Sequence, residues 1–172
     1  MLGRDYRDQT CSIARALELV GERWTLLIVR NVHLGVRRFD HLQQQLGIAR
    51  NVLASRLEDL TANGILERRP YGERPVRHEY LLTEKGLALW PVLVELMQWG
   101  DRYAAGPDGP PVVLRHAGCG GEVGAHRMCT SCGAPLEIGD VRAELGPGAS
   151  PNHPLRIRLR AVEAAPSERV TA

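Results

Sequence analysis

One segment of the chain, from Gly47 to Gly64, constrains the fold more than any other. Its leucines Leu53, Leu57 and Leu60 repeat at i, i+4 and i+7, which places them on one face of a helix of roughly four turns. Gly64 supplies the stop expected just past a helix C-terminus. The opposite face carries short or planar side chains suited to base edges in a DNA groove: Arg50, Asn51, Ala54, Ser55 and Glu58. An ordinary solvated helix face can have the same composition. The flanking segments are therefore needed to distinguish a DNA-binding helix from a solvated one.

The 172 residues suffice for one domain of ordinary size and a smaller appendage. With 44% apolar and 24% charged residues, we expect a folded globular protein. No apolar run approaches the ~20 residues that span a bilayer, and the first residues contain no apolar secretion signal. We therefore expect a cytoplasmic protein without a membrane partner. Cysteines in that compartment tend to serve metals or redox chemistry.

Positive charge is concentrated around the Gly47–Gly64 segment. Residues 37–77 contain eight arginines and five acidic residues, so the net charge of this segment is +3, compared with +2 for the whole chain. Such a basic stripe favours contact with phosphate. Many proteins that bind no nucleic acid carry as much charge, so the surplus is supporting evidence only.

The segments before Gly47 contain helical periodicities that predict three helices. The first covers Cys11–Val20, the second runs from Trp24 to near Gly35, and the third covers Arg38–Leu46. A tight glycine-containing turn then joins the third helix to the next one. Two helices connected in this way are typical of a helix-turn-helix.

After Gly64, residues 65–71 and 77–82 have the pattern of a β-hairpin with a turn-rich tip. Arg74 and Arg77 lie at this tip, where an arginine can enter the minor groove or contact phosphate. A hairpin alone is unspecific. A helix-turn-helix followed by a hairpin with arginines at its tip indicates a winged helix-turn-helix.

The next predicted helix has Thr83 as its N-cap and is apolar on most sides from Leu87 to Trp99, with a kink at Pro91. Its apolar surface favours burial against a second copy, hence a homodimer. Burial within its own domain is the alternative.

A linker at 106–111 precedes a second module with the pattern H-x2-C-x9-C-x2-C. This spacing predicts a structural Cys3His zinc site built from His116, Cys119, Cys129 and Cys132. His126 is an alternative fourth ligand, and a redox pair at Cys129 and Cys132 or unligated thiols are competing interpretations. Short strands are expected at 141–145 and 155–159, followed by a tail at 161–172.

The fold class is thus mainly α with a small β-wing: a winged helix-turn-helix domain, 8–104, plus a small β-rich zinc-ribbon-like module, 112–160. An enzyme is not expected, because no Ser/His/Asp order, phosphate-cradling glycine loop or supported carboxylate pair occurs. The alternative function is a zinc-ribbon interaction module whose winged domain contacts protein.

Residues 8–104 resemble the HxlR family of bacterial transcriptional regulators. The resemblance rests on these segments: Cys11–Ile28, Arg38–Asp40, Arg50–Leu53 with Arg56-Leu57, Pro70-Tyr71, Pro75 with Glu79-Tyr80, and Leu82–Gly86. It implies a MarR-like winged helix-turn-helix homodimer that binds double-stranded DNA at a roughly two-fold operator. Members act as repressors or activators; we expect a repressor.

This interpretation assigns specific residues to DNA. Planar groups can bond bidentately to guanine and adenine, so Arg50 and Asn51 are expected to contact bases. Arg56 is expected either to contact phosphate or to fold back and hold the wing. The complete expected set is Arg38, Arg50, Asn51, Ser55, Arg56, Arg74 and Arg77.

In several members of the resembled family, a cysteine at the position of Cys11 senses quinones, aldehydes or oxidants. Such a thiol needs a lowered pKa, which a helix N-terminus and the nearby Arg15 can supply. Cys11 is therefore a redox-sensing candidate, with an oxidant or small molecule as effector. A small residue packed at a helix end is the alternative.

Overall fold

The computed structural model describes residues 10–72, 76–151, 153 and 155. They form two compact units that divide between Leu89 and Trp90. The elements of the first unit are α1 (Ser12–Val20), α2 (Thr25–His33), α3 (Phe39–Leu46), α4 (Arg50–Ala62), β1 (Leu66–Tyr71), β2 (Arg77–Leu82) and α5 (Glu84–Leu87). Those of the second are α6 (Trp90–Tyr103), β3 (Val112–His116), β4 (Val141–Leu145) and 3-10 turns at Ala125–Arg127 and Ile138–Asp140.

The core of the first unit contains the predicted leucine stripe. Leu53, Leu57 and Leu60 on α4 are at most 1% exposed. Burial of such side chains contributes roughly 1.5–3 kcal/mol each. The helix ends as expected, where Asn63 donates both its backbone N–H (3.0 Å) and its side-chain Nδ2 (2.8 Å) to the carbonyl of Asp59. The structure thus confirms the helix and its buried face.

Residues 47–49 form the turn between α3 and α4. Gly47 has a φ of 61°, a left-handed conformation that a Cβ would strain, and its N–H donates to the carbonyl of Gln43 at 3.0 Å. Ile48 follows and is buried. This left-handed cap reverses the chain within three residues and fixes the direction in which α4 starts.

Strands β1 and β2 pair antiparallel, from Leu66 opposite Leu82 to Tyr71 opposite Arg77. A third segment joins their edge, because Arg38 forms an isolated bridge with Glu79 just before α3 begins. The hairpin is therefore attached to the helix-turn-helix. Tip residues 73–75, which include Arg74, lie outside the described residues.

The base of the hairpin is fastened to the end of α4. Thr83 is the N-cap of α5, as predicted, and its hydroxyl accepts from the N–H of Gly86 at 3.1 Å. The same hydroxyl donates to the carbonyl of Gly64 at 2.6 Å, and Lys85 Nζ donates to the carbonyl of Asn63 at 2.8 Å. These bonds hold the wing at a set position beside the C-terminus of α4.

The prediction of one kinked helix after Thr83 is wrong. α5 ends at Leu87 and a new helix, α6, begins at Trp90. Proline lacks an N–H and clashes with the carbonyl four residues earlier, so Pro91 is incompatible with continuation of α5. It is well tolerated in the first turn of a new helix, where it lies.

The second unit contains a two-stranded antiparallel sheet of β3 and β4. The predicted strand at 141–145 is confirmed, whereas its partner Val112–His116 was not predicted. The predicted strand 155–159 lies outside the described residues apart from Leu155, and the predicted tail lies wholly outside them. In the part of the chain that the structure describes, no helix has the length and apolar character to cross a membrane.

Candidate nucleic-acid interface and metal centre

The outward face of α4 is open to solvent opposite the buried leucines. Its exposed residues include all five predicted from the sequence, Arg50, Asn51, Ala54, Ser55 and Glu58, together with Asp59 and Ala62. Arg50 and Asn51 lie in the first turn, beside the helix-turn-helix reversal. The face therefore presents two planar hydrogen-bonding groups at the helix N-terminus, where a recognition helix contacts bases.

Arg50 is directed toward the start of α3. Its guanidinium lies 4.7 Å from the ring centroid of Phe39, and Nη1 is 3.7 Å from Asp40 Oδ1. The Arg50 side chain is 72% exposed, so the ion pair contributes little and can exchange for another partner. The ring contact still limits the directions that the guanidinium can take.

Arg38 and Arg77 lie at the junction of the helix-turn-helix and the wing. The guanidinium of Arg38 lies 4.6 Å from the ring centroid of Tyr71, which pairs with Arg77 across the hairpin. A surface recess occurs at this junction, and we name it the basic recess. Its lining comprises Arg38, Phe39, Asp40, His41, Arg50, Arg68, Tyr71, Arg77, His78 and Tyr80. Four arginines against one carboxylate make it a favourable place for a phosphate.

Arg56 does not line the basic recess. It is only 25% exposed, and Nη1 lies 3.3 Å from Asp59 Oδ2 and 3.8 Å from Glu22 Oε2. The pair with Asp59 lies within α4, and the pair with Glu22 connects the middle of α4 to the turn between α1 and α2 instead of to the wing. Competing carboxylates reduce the positive charge that Arg56 offers to DNA.

Cys11 is exposed and occupies the N-cap position of α1. The backbone N–H of Ala14, and then that of Ile13, lower the pKa of its thiol by stabilising the thiolate. Cys11 thus combines accessibility with increased thiolate character.

The predicted ligand set is assembled in the second unit. Ligand atoms of His116, Cys119, Cys129 and Cys132 all lie within 4.8 Å of one another, and His126 does not belong to the group. Cys119 Sγ lies 3.2 Å from His116 Nδ1 and 3.4 Å from Cys129 Sγ, and Cys132 Sγ lies 3.4 Å from the same nitrogen. A tetrahedral zinc with Zn–S bonds of about 2.3 Å separates its sulfur ligands by about 3.8 Å, so the cluster matches a small tetrahedral cation.

Two backbone knuckles bring the ligands together. Gly120 follows one ligand pair and Gly133 follows the other, with φ values of 76° and 70° that glycine adopts without strain. In the second knuckle, the backbone N–H of Cys132 lowers the pKa of the Cys129 thiol to about 6. A thiolate at neutral pH is the form that binds zinc. The four residues can therefore hold a metal ion.

Sequence reasoning missed part of the interface. Arg68 and His78, whose Nη2 and Nδ1 atoms are 2.9 Å apart, were not assigned to it, nor was His41. The register of β1 on β2 places Arg68 opposite Tyr80, whose N–H donates to the carbonyl of Arg37 just before α3. Exposed residues run without interruption from 67 to 70 along β1, so no alternating pattern singles out Arg68.

A helix-turn-helix, an attached two-stranded wing and a basic recess at their junction define the class of winged helix-turn-helix proteins that regulate transcription. The model of the HxlR-like helix-turn-helix family matches residues 19–107, slightly more than half of the sequence. The chain belongs to the HxlR family of transcriptional regulators, which confirms the resemblance seen in the sequence.

Three similar proteins cover between half and four-fifths of the chain. The uncharacterized HTH-type transcriptional regulator Rv3095 of Mycobacterium tuberculosis is 52% identical over 137 residues, 80% of this chain and 87% of Rv3095. The HTH-type transcriptional regulator YodB of Bacillus subtilis is 39% identical over 89 residues, 51% of this chain and 80% of YodB. The crystal structure of PA1607, a candidate transcription factor, superposes with a TM-score of 0.64 at 37% identity, covering 80% of this chain and 96% of PA1607.

Proposed function

We propose that this regulator is a repressor that binds a palindromic operator in double-stranded DNA as a homodimer, and that it acts by binding and not by catalysis. The observation that carries the proposal is the exposed face of α4, which begins with Arg50 and Asn51 beside the basic recess. Such a protein acts on the chromosome, which supports a cytoplasmic location.

Each protomer places α4 in the major groove, with its N-terminal turn against base edges. Arg50 and Asn51 contact bases, and Ser55, one turn further along, contacts a base or a phosphate. The two α4 helices of the dimer lie one helical turn of DNA apart, ~34 Å.

Backbone contacts come from the wing and its junction. Arg38 and Arg77 in the basic recess bind phosphate. Arg74, which lies between β1 and β2 in the sequence, adds a further phosphate contact. Arg56 contributes mainly by holding α4 against the turn at Glu22. Binding through these groups weakens steeply as salt rises, because each neutralised phosphate releases counterions.

A second copy of the chain covers the apolar surfaces that one copy leaves open. On α1, Ile13 is 71% exposed. On α6, Val92, Leu96, Trp99 and Tyr103 are about half exposed or more and follow a helical spacing that puts them on one face, which we name the α6 apolar face. In this assignment, residues 8–104 form the DNA-binding and dimerisation domain and residues 112–160 the zinc-ribbon-like module.

Zinc is the metal that best fits the His116, Cys119, Cys129 and Cys132 cluster. Three thiolates and one imidazole are ligands that zinc prefers, and four protein ligands leave no open position for chemistry. The ion therefore has a structural role, which a module of this size requires because its own apolar core is small.

Cys11 receives a thiol-reactive signal. Its exposure and lowered pKa support reaction with an electrophile or oxidant. Such a reaction at the start of α1, beside the exposed Ile13, changes the surface that a second copy covers.

The decisive experiment measures binding of the purified protein to the DNA upstream of its own gene at two salt concentrations. A palindromic site bound tightly, with a steep salt slope and two protomers per site, is the expected result. A monomer at micromolar concentration that ignores this DNA at low salt would overturn the proposal and favour a protein-interaction module.

A further inference from the structure

Helix α6 has a second face, opposite its apolar face, that is held by the metal-binding module. Trp90 and Val94 on this face are buried. Gln98 lies one turn further along, and its Nε2 donates to the carbonyls of Val123 and Gly124 at 3.0 Å each. The position of α6 in this unit thus depends on where the 123–124 segment lies.

The 123–124 segment is attached to the second knuckle of the metal site. Val123 forms an isolated β-bridge with Cys129, a metal ligand, and the N–H of Gly124 donates to the carbonyl of Met128 at 2.7 Å. One backbone pairing therefore separates the residue that Gln98 holds from a residue that binds the metal.

The connecting segment is also strained. His126 and Arg127 have φ values of 55° and 59°, a left-handed conformation that is unfavourable for side chains of their size. The guanidinium of Arg127 nevertheless lies 5.9 Å from the ring centroid of Trp90 on α6. Such a conformation persists only while its surroundings fix it.

The apolar core of the module is too small to hold this strained segment in place alone. In the described part of the chain beyond residue 104, the buried apolar side chains are Cys129, Leu136 and Leu155. Because one of the three is itself a metal ligand, the metal is the main constraint on the 123–129 segment.

We propose that metal occupancy of the Cys3His site controls the homodimer by fixing α6. With zinc bound, the 123–129 segment is held, Gln98 and Trp90 anchor α6, and the α6 apolar face is presented to a second copy. Without zinc, the segment relaxes, α6 loses its anchor and the dimer dissociates, so the regulator releases DNA. This inference rests on the proposed zinc site and homodimer, and it makes zinc loading a second input besides Cys11.

The test uses the full-length protein and three variants. Cys132→Ser removes a ligand, Gln98→Ala removes the anchor and keeps all ligands, and Ser131→Ala is a matched control within the same knuckle. Zinc content is measured by elemental mass spectrometry, dimer fraction by sedimentation velocity and operator affinity by fluorescence anisotropy. Hydrogen exchange is followed in peptides covering 90–103, with 50–62 as the internal reference for an intact winged domain.

Cys132→Ser should lose zinc, become monomeric at micromolar concentration and exchange the 90–103 amides at least about tenfold faster, with 50–62 unchanged. Gln98→Ala should retain zinc yet show faster exchange in 90–103 and a weaker dimer, and Ser131→Ala should match the parent protein. A zinc-free Cys132→Ser protein that stays dimeric with parental exchange in 90–103 would overturn the inference, as would a parent protein that binds no zinc. A parent that binds zinc and operator without this coupling would overturn the inference alone and leave the proposed function standing.

Discussion

The guanidinium of Arg50 lies 4.7 Å from the ring centroid of Phe39, so the first residue of α4 lies over the ring of the first residue of α3. This contact joins the start of α3 to the start of α4. It limits the orientation of a planar group in the free protein, which in the proposed complex with DNA lowers the entropy lost on binding. The reversal at Gly47 thus serves the positioning of Arg50 as well as the packing of α4.

Substitution of Arg50 by Lys should distinguish the contribution of its positive charge from that of its planar, bidentate hydrogen-bonding group. Lys keeps the positive charge but cannot bond bidentately, so specific binding should weaken about 10- to 100-fold while non-specific binding stays nearly unchanged. Fluorescence anisotropy with operator and scrambled duplexes measures both affinities. Arg142→Lys in β4 is the matched control, and an equal loss on both duplexes in Arg50→Lys would contradict a base contact.

Replacement of Arg77 by Ala should have the opposite signature. A phosphate contact carries no sequence information, so affinity should fall by a similar factor on operator and scrambled DNA, and the salt slope should decrease by about one. Titrations at four or more salt concentrations give this slope. A selective loss on operator DNA with an unchanged slope would instead place Arg77 at a base.

Much of the first unit could be predicted because its periodicities agree with its packing. The Leu53, Leu57 and Leu60 stripe is a helical pattern, the glycines mark ends of helices, and Thr83 has the right spacing to cap α5. The metal ligands could be predicted for a similar reason, since two knuckles of fixed spacing need no knowledge of the tertiary fold.

Other features depend on contacts that the sequence does not show. Arg56 looks equivalent to Arg50 along α4, but the fold places Glu22 beside it and leaves it three-quarters covered. α5 and α6 are separate because of the position of Pro91. A proline disrupts the interior of a helix but is tolerated in its first turn, and the sequence alone does not show which position Pro91 occupies. β3 was missed because its short apolar run directly follows a proline-rich linker.

A charge on the α6 apolar face should break the dimer. Leu96 is 51% exposed in one copy, and burial of Leu96→Glu against a second copy would desolvate an unpaired carboxylate. We expect a folded monomer at micromolar concentration, seen by sedimentation velocity, with operator affinity at least about tenfold lower. The neighbouring exposed change Glu95→Gln is the control. A Leu96→Glu protein that remains fully dimeric would show that this face lies outside the interface.

Alkylation of Cys11 should depend on pH in a way that reveals its environment. Because the N–H groups of Ala14 and Ile13 stabilise the thiolate, the pKa of Cys11 lies below the ordinary value of 9.0. The thiolate therefore stabilises α1 fully above pH 9.0, and this contribution is lost as pH falls through the lowered pKa. The iodoacetamide rate at Cys11, followed by peptide mass spectrometry, should reach half its maximum at a lower pH in the folded protein than in the guanidinium-unfolded one. Equal midpoints in the folded and unfolded protein would leave Cys11 no more reactive than any exposed thiol.

Alkylation of Cys11 should also weaken operator binding in the parent protein but not in Cys11→Ser.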